Sequence, residues 1–177
     1  MNSRDIYNAL RNDRRTSPVF SGVFPSDKLP MNKINYPSAF VVNLDKSSQE
    51  GSHWIAIYFD HAGRSELFDS YGTHPLPDAI LRFLHRHTLE GRTKRNEKQL
   101  QSFFSTVCGA YVIFYIMHRA RGTPMDTIVN MFDVKDKGYN DRHVQEFVNK
   151  RTNRQHPVID AKFVRDQFAR AFYGTPR

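Results

Sequence analysis

Cysteine occurs once in the 177 residues, at Cys108. One thiol excludes an internal disulfide framework and any zinc site built on cysteine, and it suits a reducing, intracellular compartment. Long apolar runs are lacking too. The longest, Ala110 to Met117, falls far short of the ~18–20 residues of a membrane-spanning helix. Met1 to Arg15 alternates charge and polarity, without the apolar stretch of a secretory signal. No internal repeat or low-complexity tract is visible. Acidic side chains are the minority, 18 against 26 basic, for a net charge of +8. That balance favours acidic partners, nucleic acid being the commonest. The basic residues are nevertheless spread in groups (Arg11, Arg14 and Arg15; Arg82 to Arg95; Lys150, Arg151 and Arg154), each of which also reads as a solvated face.

What is present argues for a folded core. With 14 Phe and 8 Tyr the chain collapses rather than staying disordered. A chain of this length forms one domain and buries roughly 70% of its unfolded surface. Ile6 and Leu10 lie i, i+4 in a helix over Arg4 to Asn12. A loop punctuated by Pro18, Gly22, Pro25 and Pro30 follows. Three strands are expected next, Ala39 to Leu44, His53 to Phe59 and Ser65 to Tyr71, the second apolar on both faces and hence central. Helices are expected over Pro77 to His87, Cys108 to Arg121, Pro124 to Phe132 and Ala161 to Tyr173. A further helix through Val144 and Val148 would be capped by Asn140 or Asp141. Glu90 to Lys98 reads as an exposed loop. Early strands flanked by helices make the class α+β, with a small mixed or antiparallel sheet.

Cys108 heads the segment CGAYVIFYIMHRARG, apolar nearly all round and therefore an interior helix. At a helix start the positive dipole end stabilises a thiolate. Gly109 beside it lets another chain approach the backbone closely. A thiolate nucleophile needs a base, and His53 alone of the histidines lies in the expected central strand. The loop Asp60 to Arg64 has Gly63 at the left-handed position of a three-residue hairpin, which pairs Phe59 with Ser65 and His53 with Tyr71. His53 and Asp69 then share one face as diagonal neighbours, ~7–8 Å apart at Cα. A two-residue loop would put them on opposite faces. The set is a Cys-His-Asp triad in chain order His, Asp, Cys. The Cys108 N–H is a ready oxyanion donor, and spacing leaves Gln99 and Gln101 both open as the second. His85 and His87, at i, i+2, do not share a helix face, which disfavours a metal hydrolase.

Three motifs stand in order: GSHW at 51–54, LFDSYG at 67–72, and Gln101 followed by VCGAY at 107–111. With VVNLD before them and RGTPM after, they resemble the adenovirus protease family, adenain, most of all its members in the Polinton or Maverick virus-like transposons. The ubiquitin-like-protein proteases are more distantly similar. The likeness spans about residues 18–132. It implies an adenain-like, papain-like fold forming a single cysteine protease domain over residues 1–177. His53 matches the family's base, Asp69 its third member, Gln101 its oxyanion donor and Cys108 its nucleophile; Trp54 and Gly109 fall where substrate would pass, with a narrow channel beside Trp54. The resemblance implies cleavage of precursor proteins at Gly-containing sites during particle maturation, by a monomer in the host nucleus or cytoplasm or packaged in the virion. DNA and a short peptide activate the adenovirus enzyme. With Cys108 alone, a disulfide-linked peptide is impossible unless the nucleophile itself is used, which leaves a noncovalent peptide activator or none needed. No metal or organic cofactor and no membrane association are expected. The rivals are a deubiquitinase or deSUMOylase-like isopeptidase and a non-catalytic basic nucleic-acid-binding module.

Overall fold

The computed structural model describes residues 1–72 and 75–152. Helix α1 (Ser3–Arg11) opens the chain, capped by the Asn2 side chain, which accepts from the Asp5 N–H at 2.9 Å. Strands β1 (Phe20–Pro25), β2 (Ser38–Asn43), β3 (Trp54–Phe59) and β4 (Ser65–Phe68) follow. Then come α2 (Asp78–His87), the short β5 (Lys94–Arg95), α3 (Cys108–Arg119), α4 (Met125–Val129) and α5 (Lys137–Thr152). The five strands lie in chain order in one mixed sheet. The outer pairs β1–β2 and β4–β5 are parallel; the inner pairs β2–β3 and β3–β4 are antiparallel. This is the expected α+β class.

Side-chain alternation explains the layering. Phe40, Val42, Ile55, Ile57, Phe59 and Leu67 point to one face and pack with Ile80, Phe83 and Leu84 of α2. Ala39, Val41, Ala56, Tyr58 and Phe68 point to the other, where α1, α3 and α5 lie. Successive strand residues go to opposite faces, so a sheet covered on both sides needs apolar residues at nearly every position. Every residue of α3 from Cys108 to Met117 is buried. Its Tyr115 ring stacks on Phe68 at 4.4 Å, and the Tyr115 hydroxyl donates to Glu66 at 2.6 Å. Arg119 completes that tie with a 2.7 Å ion pair to Glu66. The helix that begins at Cys108 is thereby bolted to β4.

Three expectations are corrected. The loop expected through Pro18, Gly22, Pro25 and Pro30 contains strand β1. Gly22 (φ +144°) sits at a break in its register and Pro25 ends it, positions an edge strand tolerates. The stretch Glu90 to Lys98 contains β5 and the buried Asn96. Asn140 and Asp141 do not cap α5: they lie inside it, buried and turned toward the segment before α3. Asp136 instead accepts from the Tyr139 N–H at 2.7 Å. The helix expected over Ala161 to Tyr173 lies outside the described residues. Among the described residues no helix is long and apolar enough to cross a membrane.

Candidate active site

The hairpin between β3 and β4 sets the site. Its loop closes with Asp60 N–H donating to Arg64 O at 3.0 Å, and Gly63 takes φ +75°. Phe59 pairs with Ser65 and Ala56 with Phe68. Continued past the strand ends, that register brings Ile55 opposite Asp69 and His53 opposite Tyr71. The diagonal then closes: His53 Nε2 donates to Asp69 Oδ1 at 2.7 Å. The His53 and Tyr71 rings lie 4.9 Å apart.

Asp69 is fully buried, and its surroundings hold it in place. Its Oδ1 also accepts from the Tyr71 N–H at 2.9 Å. Its backbone is gripped from both sides by Asn96, whose Oδ1 accepts from Asp69 N–H at 2.8 Å and whose Nδ2 donates to Asp69 O at 2.7 Å. Asn96 escaped the sequence reading because nothing in a polar stretch marks one asparagine as buried.

Cys108 is the first residue of α3 and 9% exposed. His53 and the backbone N–H groups of Trp54 and Gly109 lie near enough to its sulfur to stabilise a thiolate there. Since Nε2 faces Asp69, the other ring nitrogen, Nδ1, is the one available to Cys108. Burial pushes the thiol pKa up, but the His53 hydrogen bond and charge, with the two backbone donors, bring it below its ordinary value. Burial likewise depresses the imidazolium, yet the Asp69 hydrogen bond, the Cys108 hydrogen bond and both negative charges raise His53 to about 9. Both shifts favour a thiolate–imidazolium pair at neutral pH.

Gln101 is fully buried beside this pair. Its Oε1 accepts from Ser70 Oγ at 2.6 Å, while its Nε2 donates to Ser105 O at 2.8 Å and to the Tyr71 hydroxyl at 3.2 Å. Gln99 turns elsewhere, donating to Gln101 O at 3.0 Å. The segment carrying Gln101 is tied to α5 and α3: Asn140 Nδ2 and the Tyr111 hydroxyl both donate to Leu100 O at 3.0 Å, and the Tyr111 hydroxyl also lies 2.9 Å from Asp141. Tyr71 titrates at about 12, through burial first and then the negative charges of Cys108, Asp141 and Asp69.

Trp54 and Gly109 are expected where substrate would pass, and the structure shows what surrounds each. The Trp54 side chain packs against the α3 core and lines a cleft of about 240 Å³ with Phe24, Asn43, Glu50 and Gly51, open rather than a narrow channel. At Gly109 the approaching chain is α1: an added Cβ would meet Met1 Cβ at 3.1 Å and Ile6 Cδ1 at 3.3 Å. Among the described residues no group of three or more His, Cys, Asp or Glu is arranged to hold a metal ion.

Known proteins are similar to this chain in sequence and in fold. The sequence is 31% identical over 111 residues to a thiol protease of Acanthamoeba polyphaga mimivirus, covering 59% of this chain and 36% of that protein. It is 34% identical over 91 residues to the African swine fever virus SUMO-1 cysteine protease, covering 45% of this chain and 32% of that protein. In sequence the chain is similar to viral cysteine proteases. It spans about a third of the length of these relatives. The crystal structure of the African swine fever virus protease superposes with a TM-score of 0.55 at 21% identity, over 80% of this chain and 66% of that one. The central domain of an uncharacterized Legionella pneumophila protein superposes with a TM-score of 0.51 at 12% identity, over 87% and 98%. The fold is thus that of a viral cysteine protease. No family model matches the sequence.

Proposed function

We propose that the chain is a cysteine endopeptidase that cuts precursor proteins at Gly-containing sites during maturation of a virus or Polinton-like particle. The observation that carries this is the 2.7 Å bond from His53 to the buried Asp69 carboxylate, with Cys108 at the start of α3 near enough for that imidazole to lower its thiol pKa. Cys108 Sγ attacks the scissile carbonyl, and the oxyanion is received by the Cys108 N–H at the start of α3 and by the Gln101 amide, which turns from Ser105 O to reach it. His53 protonates the leaving amine as the C–N bond breaks, leaving a thioester on Cys108. Water, deprotonated by His53, then attacks the thioester, releases the acid and restores the thiolate–imidazolium pair. The basic balance suits a DNA activator, and a peptide activator would bind noncovalently. Action as a monomer in the host nucleus or cytoplasm, or within the particle, belongs to the same reading.

A second reading is favoured by the name of the African swine fever virus relatives, SUMO-1 cysteine protease. A small residue before the cut suits the Gly-Gly end of a ubiquitin-like protein equally. One experiment tests both. The protein is incubated with Gly-containing capsid-precursor peptides and with SUMO fusions, with and without DNA, and the products are weighed by mass spectrometry. Cleavage of the precursors, lost in Cys108→Ala, is the expected result. Cleavage of the fusions alone favours the second reading. Cleavage retained in Cys108→Ala rejects both.

A further inference from the structure

Two adjacent large apolar side chains stand in solvent between Gln101 and the nucleophile: Phe103 is 75% exposed and Phe104 59%. Single exposed aromatics need no explanation, but these are the outer members of a continuous series. The His53 ring lies 4.9 Å from Tyr71, Tyr71 lies 6.1 Å from Phe103, and Phe103 lies 6.1 Å from Phe104. The loop that presents them is held. Ser105 N–H donates to Ser102 O at 3.1 Å, and the Tyr71 hydroxyl is 3.2 Å from Ser105 O and 3.5 Å from Phe103 O.

The direction of this aromatic series decides what it meets. In acyl transfer the acyl half stays on the Cys108 sulfur, and the departing half takes its proton from His53. The departing half therefore lies on the His53 side, where Tyr71, Phe103 and Phe104 lead outward. The cleft beside Trp54 shares none of these residues. An extended chain advances ~3.3 Å per residue, so a side chain resting on Phe103 or Phe104 belongs to the first few residues after the cut. We propose that Tyr71, Phe103 and Phe104 form a subsite for the leaving segment of a polypeptide substrate, selecting an aromatic or large aliphatic side chain within four residues downstream of the scissile bond. This rests on the cysteine endopeptidase reading and extends it to the other side of the cut.

The test uses internally quenched peptides of identical acyl side, with Phe, Leu, Gly or Asp at each of the four downstream positions. At one position the wild type should cleave Phe and Leu peptides at least tenfold faster in kcat/KM than Gly or Asp peptides. Phe103→Ser/Phe104→Ser should reduce that ratio to within twofold, and Phe103→Leu/Phe104→Leu should keep most of it. Iodoacetamide labelling of Cys108 shows whether each variant retains a reactive thiolate. A wild type that cleaves yet ignores all four positions overturns the subsite alone, as does a Ser variant with undiminished preference. If the Ser variant instead separates a dimer into monomers at unchanged preference, the strip joins two copies of this chain and the subsite is rejected. A wild type that cleaves no peptide overturns the endopeptidase reading, and the subsite with it.

Discussion

The charge on Asp69 can be removed without disturbing its shape. In Asp69→Asn the amide oxygen can take the place of Oδ1 and still accept from His53 Nε2 and the Tyr71 N–H, now 2.7 and 2.9 Å away. The grip of Asn96 is on the backbone and survives. What disappears is the negative charge beside the imidazolium. Hydrogen bonds to charged groups contribute about 1.5–3 kcal/mol against about 0.5–1.5 for neutral ones, and a pKa unit is about 1.4 kcal/mol. The His53 pKa, about 9 in the native protein, should therefore fall by about 1 unit. The thiolate loses part of its partner, so the Cys108 pKa moves the other way. In kcat/KM against pH the alkaline limb should move down and the acid limb up, narrowing the plateau and lowering neutral-pH activity about 10–100-fold. The pH dependence of Cys108 alkylation by iodoacetamide reads the acid limb without any substrate. Limbs that stay in place while the rate merely scales would refute the argument that Asp69 sets the charge of His53.

Two further outcomes follow from the same structure. Gly63 adopts φ +75°, and an added Cβ would lie 2.7 Å from Leu89 Cγ. Leu89 Cβ would also lie 2.8 Å away, and the Leu89 N–H is held to Gly63 O at 2.9 Å, so the clash cannot be relieved by a side-chain rotation; Gly63→Ala should cost at least the roughly 1–2 kcal/mol of left-handed backbone strain in chemical denaturation, with the pH limbs unchanged where the register is kept. His87 is buried against Phe59 and Phe83, with Nε2 lacking a partner among the described residues, and burial lowers its pKa. His118 is lowered too, by burial and then by the Arg151, Arg121 and His143 charges. Each takes up a proton in the unfolded chain before the folded one, so each reduces stability as pH falls below about 6.5, by at most about 1.4 kcal/mol per pH unit. Unfolding free energies at pH 7.5 and 5 should show a smaller acid loss in His87→Gln/His118→Gln than in the wild type; an equal loss would contradict the neutral burial of both rings.

How much was legible before the coordinates depended on how local the cause was. The hairpin register follows from Gly63 and the length of one loop, so the meeting of His53 and Asp69 could be counted along the chain. The depth of α3 follows from its apolar composition, and the place of Cys108 at its start from the residues on either side. Strand β1 was hidden because Gly22 and Pro25 disfavour a strand locally, and pairing with β2 overrides them. Only folding brings Asn96 to the Asp69 backbone, 27 residues away, and Asn140 to Leu100, 40 residues away. Only folding shows that Gly109 faces Met1 and Ile6, that Gln101 donates to Ser105 O, and that Phe103 and Phe104 stand exposed in line with Tyr71. Composition, periodicity and turn chemistry act between neighbours and therefore determined the elements and the hairpin. Burial and partners depend on which distant segments share a surface, and tertiary packing alone decided those.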